Sequence, residues 1–277
     1  MLYIYGTVYN NKNVIKDSIS SLDKIKYPHK FLIIDNFSTD GTYELLDSLR
    51  NIYNIDVKRV KCSRGLGRQL AMEMVMHESN DDDLFFYFDL DTIFTELAAT
   101  IIEYFIKTMD KNDVVRIMGI LCYKSINFNV PWKDLNNGED FERNAHFIAL
   151  NYNVINIINE DEILYYNEKI EGMRDRRYEH GYKYYIRQLK NTIELIEGDG
   201  INSSKKVKQS IQGAQHFKYS AYIFLYIAYF YVKLFHKRNI YSYNNELINS
   251  NYYFKMAKMV SPSKFIKKFI NTNNILH

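Results

Sequence analysis

Two cysteines, Cys62 and Cys122, are all that 277 residues contain. They cannot build a disulfide framework, which points to a reducing interior. Proline is almost absent, with three in the whole chain. No internal repeat or low-complexity linker interrupts the sequence. A bulk excess of one charge is missing too: the net charge is +3 and the pI about 8.5. So mild a balance gives no reason to expect nucleic acid as a partner. Met1 leads directly into an apolar segment with no signal peptide ahead of it, so the cytoplasm is the expected location. What remains is an ordinary globular composition, 47% hydrophobic and 25% charged, with an unusual 25 tyrosines. A chain of this length fits one large α/β domain, or one domain with a helical appendage.

The first 125 residues alternate between two periodicities. Residues 2–8 read as a strand. Val14, Ile15, Ile19 and Leu22 then recur at helical spacing. Phe31 to Ile34 form a second apolar run that ends in Asp35, and a turn at 38–41 opens a helix reaching about residue 53. Strands are expected at 57–62, 84–88 and 114–123, with helices over 65–78 and 96–109. Strand and helix in turn imply a mostly parallel sheet flanked by helices, a Rossmann-like α/β class. Beyond residue 123 the alternation fades. A loop is expected over 127–138, a helix over 139–150 and one or two short strands within 153–166. Residues 172–185 are dense in Arg and Tyr, 198–204 form a break, and the chain from 205 on reads as helical. These features divide it into a catalytic domain, 1–200, and a helical C-terminal extension, 201–277.

Four clusters carry candidate chemistry. The apolar run 84–88 stops at Asp89-Leu90-Asp91. Alternate residues of an extended segment point the same way, so both carboxylates can face one ligand while Leu90 packs inward. Two acids at a strand end are costly to desolvate unless a cation joins them, and hard divalent ions prefer oxygen. The stretch Asp35-Asn36-Phe37-Ser38-Thr39-Asp40-Gly41-Thr42 places an acid before a tight turn and a helix start; it suits a nucleoside or, equally, an ordinary Asx turn. Arg64-Gly65-Leu66-Gly67-Arg68 opens a helix with backbone N–H groups and cations that suit an anion. It lacks the third glycine of a dinucleotide fingerprint and is no P-loop, so a plain loop fits as well. Glu139-Asp140 offers a carboxylate able to take a proton from an acceptor, or merely acids at a helix N-terminus.

Taken in order, these motifs resemble the inverting GT-A glycosyltransferases, especially family 2. Thr7-Val8-Tyr9-Asn10 stands where that family has a Thr-Tyr-Asn turn, with Val inserted. Asp35 to Thr42 matches its Asp-Asp-x-Ser-x-Asp-x-Thr, with Asn36 in place of the second acid. Asp89-Leu90-Asp91 is the Asp-x-Asp, and Glu139-Asp140 the later acidic pair. The resemblance implies a sugar transferred from a nucleotide-diphosphate donor, UDP-sugar first and GDP-sugar next, to a glycan, glycoprotein or lipid acceptor. Asp140 would be the base. Thr7, Tyr9, Asp35, Arg64, Arg68 and Asp89 would bind the donor, and Asp91 and Asp89 would hold Mn²⁺ or Mg²⁺. His180, within an Arg174, Arg176 and Arg177 cluster, is a further metal candidate with His216 as its rival. Trp132 and Glu139 would meet the acceptor, although core packing suits a Trp equally well.

Other classes answer less of the pattern. A haloacid-dehalogenase-type phosphatase would need a later Gly-Asp-x-x-x-Asp, and Gly198-Asp199-Gly200 is followed by no second acid at that spacing. A sugar-1-phosphate nucleotidyltransferase would need a glycine-rich loop after the first strand, and residues 7–13 have no glycine. A non-catalytic sugar-nucleotide-binding or assembly protein would keep the fold without needing Asp140. Near the C-terminus, residues 219–232 hold no charge and are flanked by Lys218, Lys233, Lys237 and Arg238. A core or dimer helix, an interfacial membrane helix across 217–238 and a true span all fit, although a span needs about 20 apolar residues.

Overall fold

The computed structural model describes residues 1–136, 139–157 and 258–260, with five further helical positions between 223 and 234. The candidates His180 and His216, the arginines around 176 and the 198–204 break lie outside the described residues. Among the described residues, eight strands form one sheet in the order β3-β2-β1-β4-β6-β5-β7-β8. Strands β1 (Leu2–Val8), β2 (His29–Asp35), β3 (Ile55–Arg59) and β4 (Leu84–Phe88) run parallel. Helices α1 (Lys12–Leu22), α2 (Thr42–Ser48), α3 (Arg50–Tyr53) and α4 (Arg64–Glu73) connect them.

Period-two alternation divides the core into two layers. Leu2, Ile4, Phe31, Ile33, Phe86 and Phe88 face one side, against α1 and helix α5 (Glu96–Thr108). Tyr3, Tyr5, Leu32, Ile34, Phe85 and Tyr87 face the other, with Ala71 and Met72 of α4 and Phe147 of helix α7 (Glu139–Ala149). All five residues of β4 are buried. A fully buried aromatic such as Phe86 is worth about 3–5 kcal/mol against truncation to Ala.

The expected single strand over 114–123 is instead a hairpin. Strand β5 (Asp113–Arg116) turns at Met118, whose φ is +51°, into β6 (Gly119–Tyr123), which runs antiparallel to both β5 and β4. The two turn residues, Ile117 and Met118, are both apolar, and Arg116 and Gly119 flank them. Gly119 permits the close packing: a Cβ there would lie 2.0 Å from the Tyr87 carbonyl oxygen. The expected loop over 127–138 begins with a short helix, α6 (Lys124–Asn129). Strand β7 (Asn153–Ile157) pairs parallel with β5, and β8 (Lys258–Val260) adds to β7. The stretch 201–277 therefore contributes a strand to the sheet.

The chain order reverses beside β1: β2 and β3 lie to one side of it and β4 to the other. In open α/β sheets that switch point, at the carboxyl ends of the strands, is where ligands bind. The ends of β1, β2 and β4 bring Val8–Asn10, Asp35 and Asp89 there.

Candidate active site

The two turns at the ends of β1 and β2 are stitched together. The Ser38 hydroxyl accepts from the Asn10 amide at 2.9 Å, and Asn10 Oδ1 accepts from the Thr39 amide at 2.8 Å. Asp40 accepts from the Lys12 amide at 3.0 Å and from the Thr42 amide and hydroxyl at 3.0 and 2.5 Å. Burial works against that carboxylate, yet these donors hold it below its ordinary value. Ser38, Asp40 and Thr42 of this motif are thus spent on joining two loops. Asn36, standing where the family has an acid, accepts from the Cys62 amide at 3.1 Å.

Asp35 stands apart from that stitching. Its side chain is wholly buried, and its Oδ2 accepts from the Ser38 amide at 3.0 Å and Arg59 Nε at 3.1 Å. Its buried Oδ1 has no hydrogen-bond partner. Arg59 is held over the Tyr43 ring at 4.3 Å and near Phe37 at 5.9 Å. Phe37, with φ of +54°, and Tyr9 are about half exposed, at 51% and 57%. A buried, half-satisfied carboxylate suits a partner that carries an N–H donor.

The other pole is Arg68. It is 2% exposed, and its two terminal nitrogens reach Glu139 at 2.6 Å and Asp89 at 3.0 Å. Its guanidinium lies 4.2 Å from the Tyr87 ring centroid and 4.7 Å from that of Trp132. Tyr87 also donates its hydroxyl to the same Asp89 oxygen at 2.6 Å. One cation thus ties the end of β4 to the first residue of α7, joining acids 50 positions apart. Burial opposes its charge, but Tyr87, Asp89, Glu139 and Asp140 outweigh that and keep it protonated. Burial pushes the Glu139 carboxyl up against the pull of Arg68 and Arg64, since one guanidinium shared by two acids cannot fully compensate either. Desolvation also resists the Asp89 charge, yet Arg68, the Tyr87 hydroxyl and Arg64 prevail and hold it below its usual range. Asp140, the next residue of α7, is partly exposed.

Several expected roles change here. Arg68 is not an open donor clamp, because its terminal nitrogens are committed to Asp89 and Glu139. Glu139, expected at the acceptor, is 1% exposed and fastens α7 instead. Trp132, also expected at the acceptor, is core: it is 4% exposed, its indole N–H donates to Tyr5 at 3.0 Å, and its ring takes the guanidiniums of both Arg68 and Arg143. The start of α4 is not an anion cradle, because its amides are taken. Arg64 N–H donates to Asn136, Gly65 N–H to the Leu135 carbonyl, and Leu66 N–H to the capping Ser63 hydroxyl. Its glycines serve close packing: a Cβ on Gly65 would lie 1.8 Å from the Lys133 carbonyl, and one on Gly67 would lie 1.9 Å from Thr7.

Asp89 is 58% exposed, Asp91 lies two residues on in a turn rather than in the extended segment expected, and Leu90 between them is buried. Among the described residues no three metal-ligating side chains gather in one place. Two carboxylates, one held ionised by its neighbours, still fit a hard cation that takes its other oxygens from water and a diphosphate. Thr7 hydrogen-bonds the Arg64 carbonyl at 3.3 Å, and the half-exposed Arg64 side chain stands 3.6 Å from Glu139.

Sequence reasoning missed Tyr87, Arg143 and Arg59. Tyr87 lies two residues before Asp89, hence on the same side of the strand. Arg143 is one helical turn after Glu139. It is fully buried, bonding Tyr5 at 2.8 Å, Asn127 Oδ1 at 2.6 Å and the Val130 carbonyl at 2.8 Å, which anchors α7 to β1 and α6. On the same helix, Glu142 and His146 meet at 3.3 Å. Burial pushes the Glu142 carboxyl up to about 7, against Lys133 and Arg143; burial and the same two cations push His146 down to about 4.

The family model described as glycosyl transferase family 2 matches residues 4–182. No curated protein matches the chain in sequence. Among solved structures, S. aureus TarS is 14% identical with a TM-score of 0.48; the match covers 79% of this chain but 44% of TarS. TarS 1–349 in complex with UDP-GlcNAc is likewise 14% identical, with a TM-score of 0.47, covering 79% of this chain and 73% of that one. The mannosyltransferase PcManGT from Pyrobaculum calidifontis, in complex with GDP-Man and Mn²⁺, is 12% identical with a TM-score of 0.49, covering 84% and 70%.

Proposed function

The chain belongs to glycosyl transferase family 2, and from that premise we propose that it moves a sugar from a nucleotide-diphosphate donor to an acceptor hydroxyl or lipid phosphate with inversion. The observation that carries the reading is the Arg68 bridge, which draws the strand-end acid Asp89 and the first residue of α7 to one guanidinium and leaves Asp140 beside them.

Asp35 would receive the nucleobase between Tyr9 and Phe37. Its Oδ2 already accepts two donors, so one oxygen remains. Uracil presents one imide N–H to such an acceptor, whereas guanine presents two adjacent donors. This count favours a UDP-sugar, with a GDP-sugar next. Thr7 would border the nucleoside, and Arg64, at the rim, would face the phosphates. Asp89 and Asp91 would hold Mn²⁺ or Mg²⁺, with His180 a further candidate. That ion, when bound, would supply Lewis-acid neutralisation of the diphosphate leaving group.

Asp140 would take the proton of the acceptor hydroxyl. The acceptor oxygen would then attack the anomeric carbon on the face opposite the departing diphosphate, which inverts that centre. Glu139 and Arg143 would hold α7 so that Asp140 meets the acceptor. A panel of UDP- and GDP-sugars incubated with the protein and Mn²⁺ or Mg²⁺ tests this, scoring nucleotide diphosphate release. The expected result is release with a UDP-sugar that falls sharply in Asp91→Ala. Release from no donor, with no donor raising the melting temperature, would overturn the reading.

A further inference from the structure

The chain divides its charge unevenly. Residues 200–277 contain twelve Lys and Arg and a single acid, Glu246. Their surplus of eleven exceeds the +3 of the whole chain, so residues 1–199 carry a deficit of eight. Asymmetry of this size between parts of a chain points to an anionic surface as partner. Within the basic part, Ile223, Tyr226, Ile227, Phe230 and Leu234 are all helical. Their spacing of three, one, three and four places them on one stripe. They are exposed by 58, 57, 48, 56 and 71%. A contiguous exposed apolar patch marks a contact surface.

We propose that this stripe docks on an anionic lipid surface, lying in the plane of the headgroups. The stripe supplies apolar and aromatic groups for the headgroup boundary, where Tyr and Phe are well suited. The sequence adds Lys218, Lys233, Lys237 and Arg238 around it, with no acid between 200 and 245. The uncharged run 219–232 is short of the about 20 apolar residues that a span needs, which favours lying on the membrane. A second copy of this chain is a poorer occupant, because two stripes meeting would bring two strongly basic segments together. In chain order the stripe falls between β7 and β8, two strands that pair in the sheet. A membrane that holds the stripe therefore also holds the catalytic sheet, whatever reaction that sheet performs.

Flotation of the full chain with vesicles of phosphatidylcholine alone, or mixed with an equal part of phosphatidylglycerol, tests the proposal. Binding is expected only with phosphatidylglycerol and is expected to weaken as salt rises. Ile227→Ser with Phe230→Ser, and separately Lys233→Gln with Lys237→Gln and Arg238→Gln, should each lower partitioning by about tenfold or more. Their melting temperatures and circular dichroism should match the wild type. The charge variant keeps the test sound should the apolar variant fail to fold. Equal flotation with both vesicle types, no flotation at low salt, or charge-variant binding equal to wild type would overturn it. So would a dimer by light scattering that the serine variant converts to monomer, which would make the stripe a subunit interface.

Discussion

The two poles of the crevice bury charge in opposite ways. At the end of β2 a fully buried anion, Asp35, is answered by one partly exposed cation and keeps a spare oxygen. At the end of β4 a buried cation, Arg68, is answered by two acids and lies against two rings. A buried charge that is left partly unsatisfied costs stability, and binding a complementary group can return it. Arg68 Nε is likewise without a partner, but each of its terminal nitrogens is committed to an acid, one at the end of β4 and one on α7, which ties those elements together. On the proposed reading the Asp35 pole serves as a receptacle, and the Arg68 pole as a fastening that sets α7, and with it Asp140, against the strand ends.

The hardest blow to this contrast is to remove what the fastening presents. Asp140→Asn should lower transfer by about 10²–10⁴-fold while nucleotide affinity, measured by calorimetry, stays near wild type. Retention of full transfer would remove the reason for holding α7 in place. Next is the fastening itself. Arg68→Met leaves Glu139 buried beside a more distant Arg64, and should cost about 3–5 kcal/mol in urea unfolding. The double variant Arg68→Met with Glu139→Gln should recover much of that loss, because no buried charge is then stranded. If the double variant is no better than the single, the pair is not what holds the helix.

The receptacle should respond differently. Asp35→Asn keeps the shape but replaces one acceptor oxygen with a donor nitrogen. It should weaken nucleotide binding by about 1.5–3 kcal/mol, roughly 10- to 150-fold, and leave the unfolding midpoint within about 1 kcal/mol of wild type, since the spare oxygen contributes nothing to the free fold. A large stability loss with unchanged nucleotide affinity would make Asp35 a fastening as well.

The receptacle was the more legible pole in the sequence. Asp35 and Asp89 stand at the ends of apolar runs, and local pattern is enough to place a strand's last residue at the sheet's edge. The Arg68 knot depends on residues 68, 87, 89, 132 and 139, which meet only when α4, β4, the 130s loop and α7 pack. No local periodicity carries that information. For the same reason Trp132 and Glu139 read as exposed acceptor contacts. The hairpin at Met118 is hard to read because its two central residues, Ile117 and Met118, are apolar and Gly119 beside them is the lone turn signal in the run.

The smallest effect lies on α7 and asks whether the fastened helix is also insensitive to pH. Glu142 has a folded pKa raised to about 7 from 4.5, so the fold favours its protonated form, and stability is lost as pH rises through that window. His146, lowered to about 4 from 6.5, favours its neutral form, and stability is lost as pH falls through its own window. Between pH 5 and 7 each group changes stability by about 2 kcal/mol, in opposite directions. The wild type should therefore be nearly flat there. Glu142→Gln removes the falling contribution and leaves the rising one, so its stability should climb by about 2 kcal/mol from pH 5 to 7. Urea unfolding at several pH values measures both slopes. A wild type that climbs as steeply as the variant would mean that Glu142 titrates as an ordinary surface acid, and that α7 is more open to water at this turn than at Glu139.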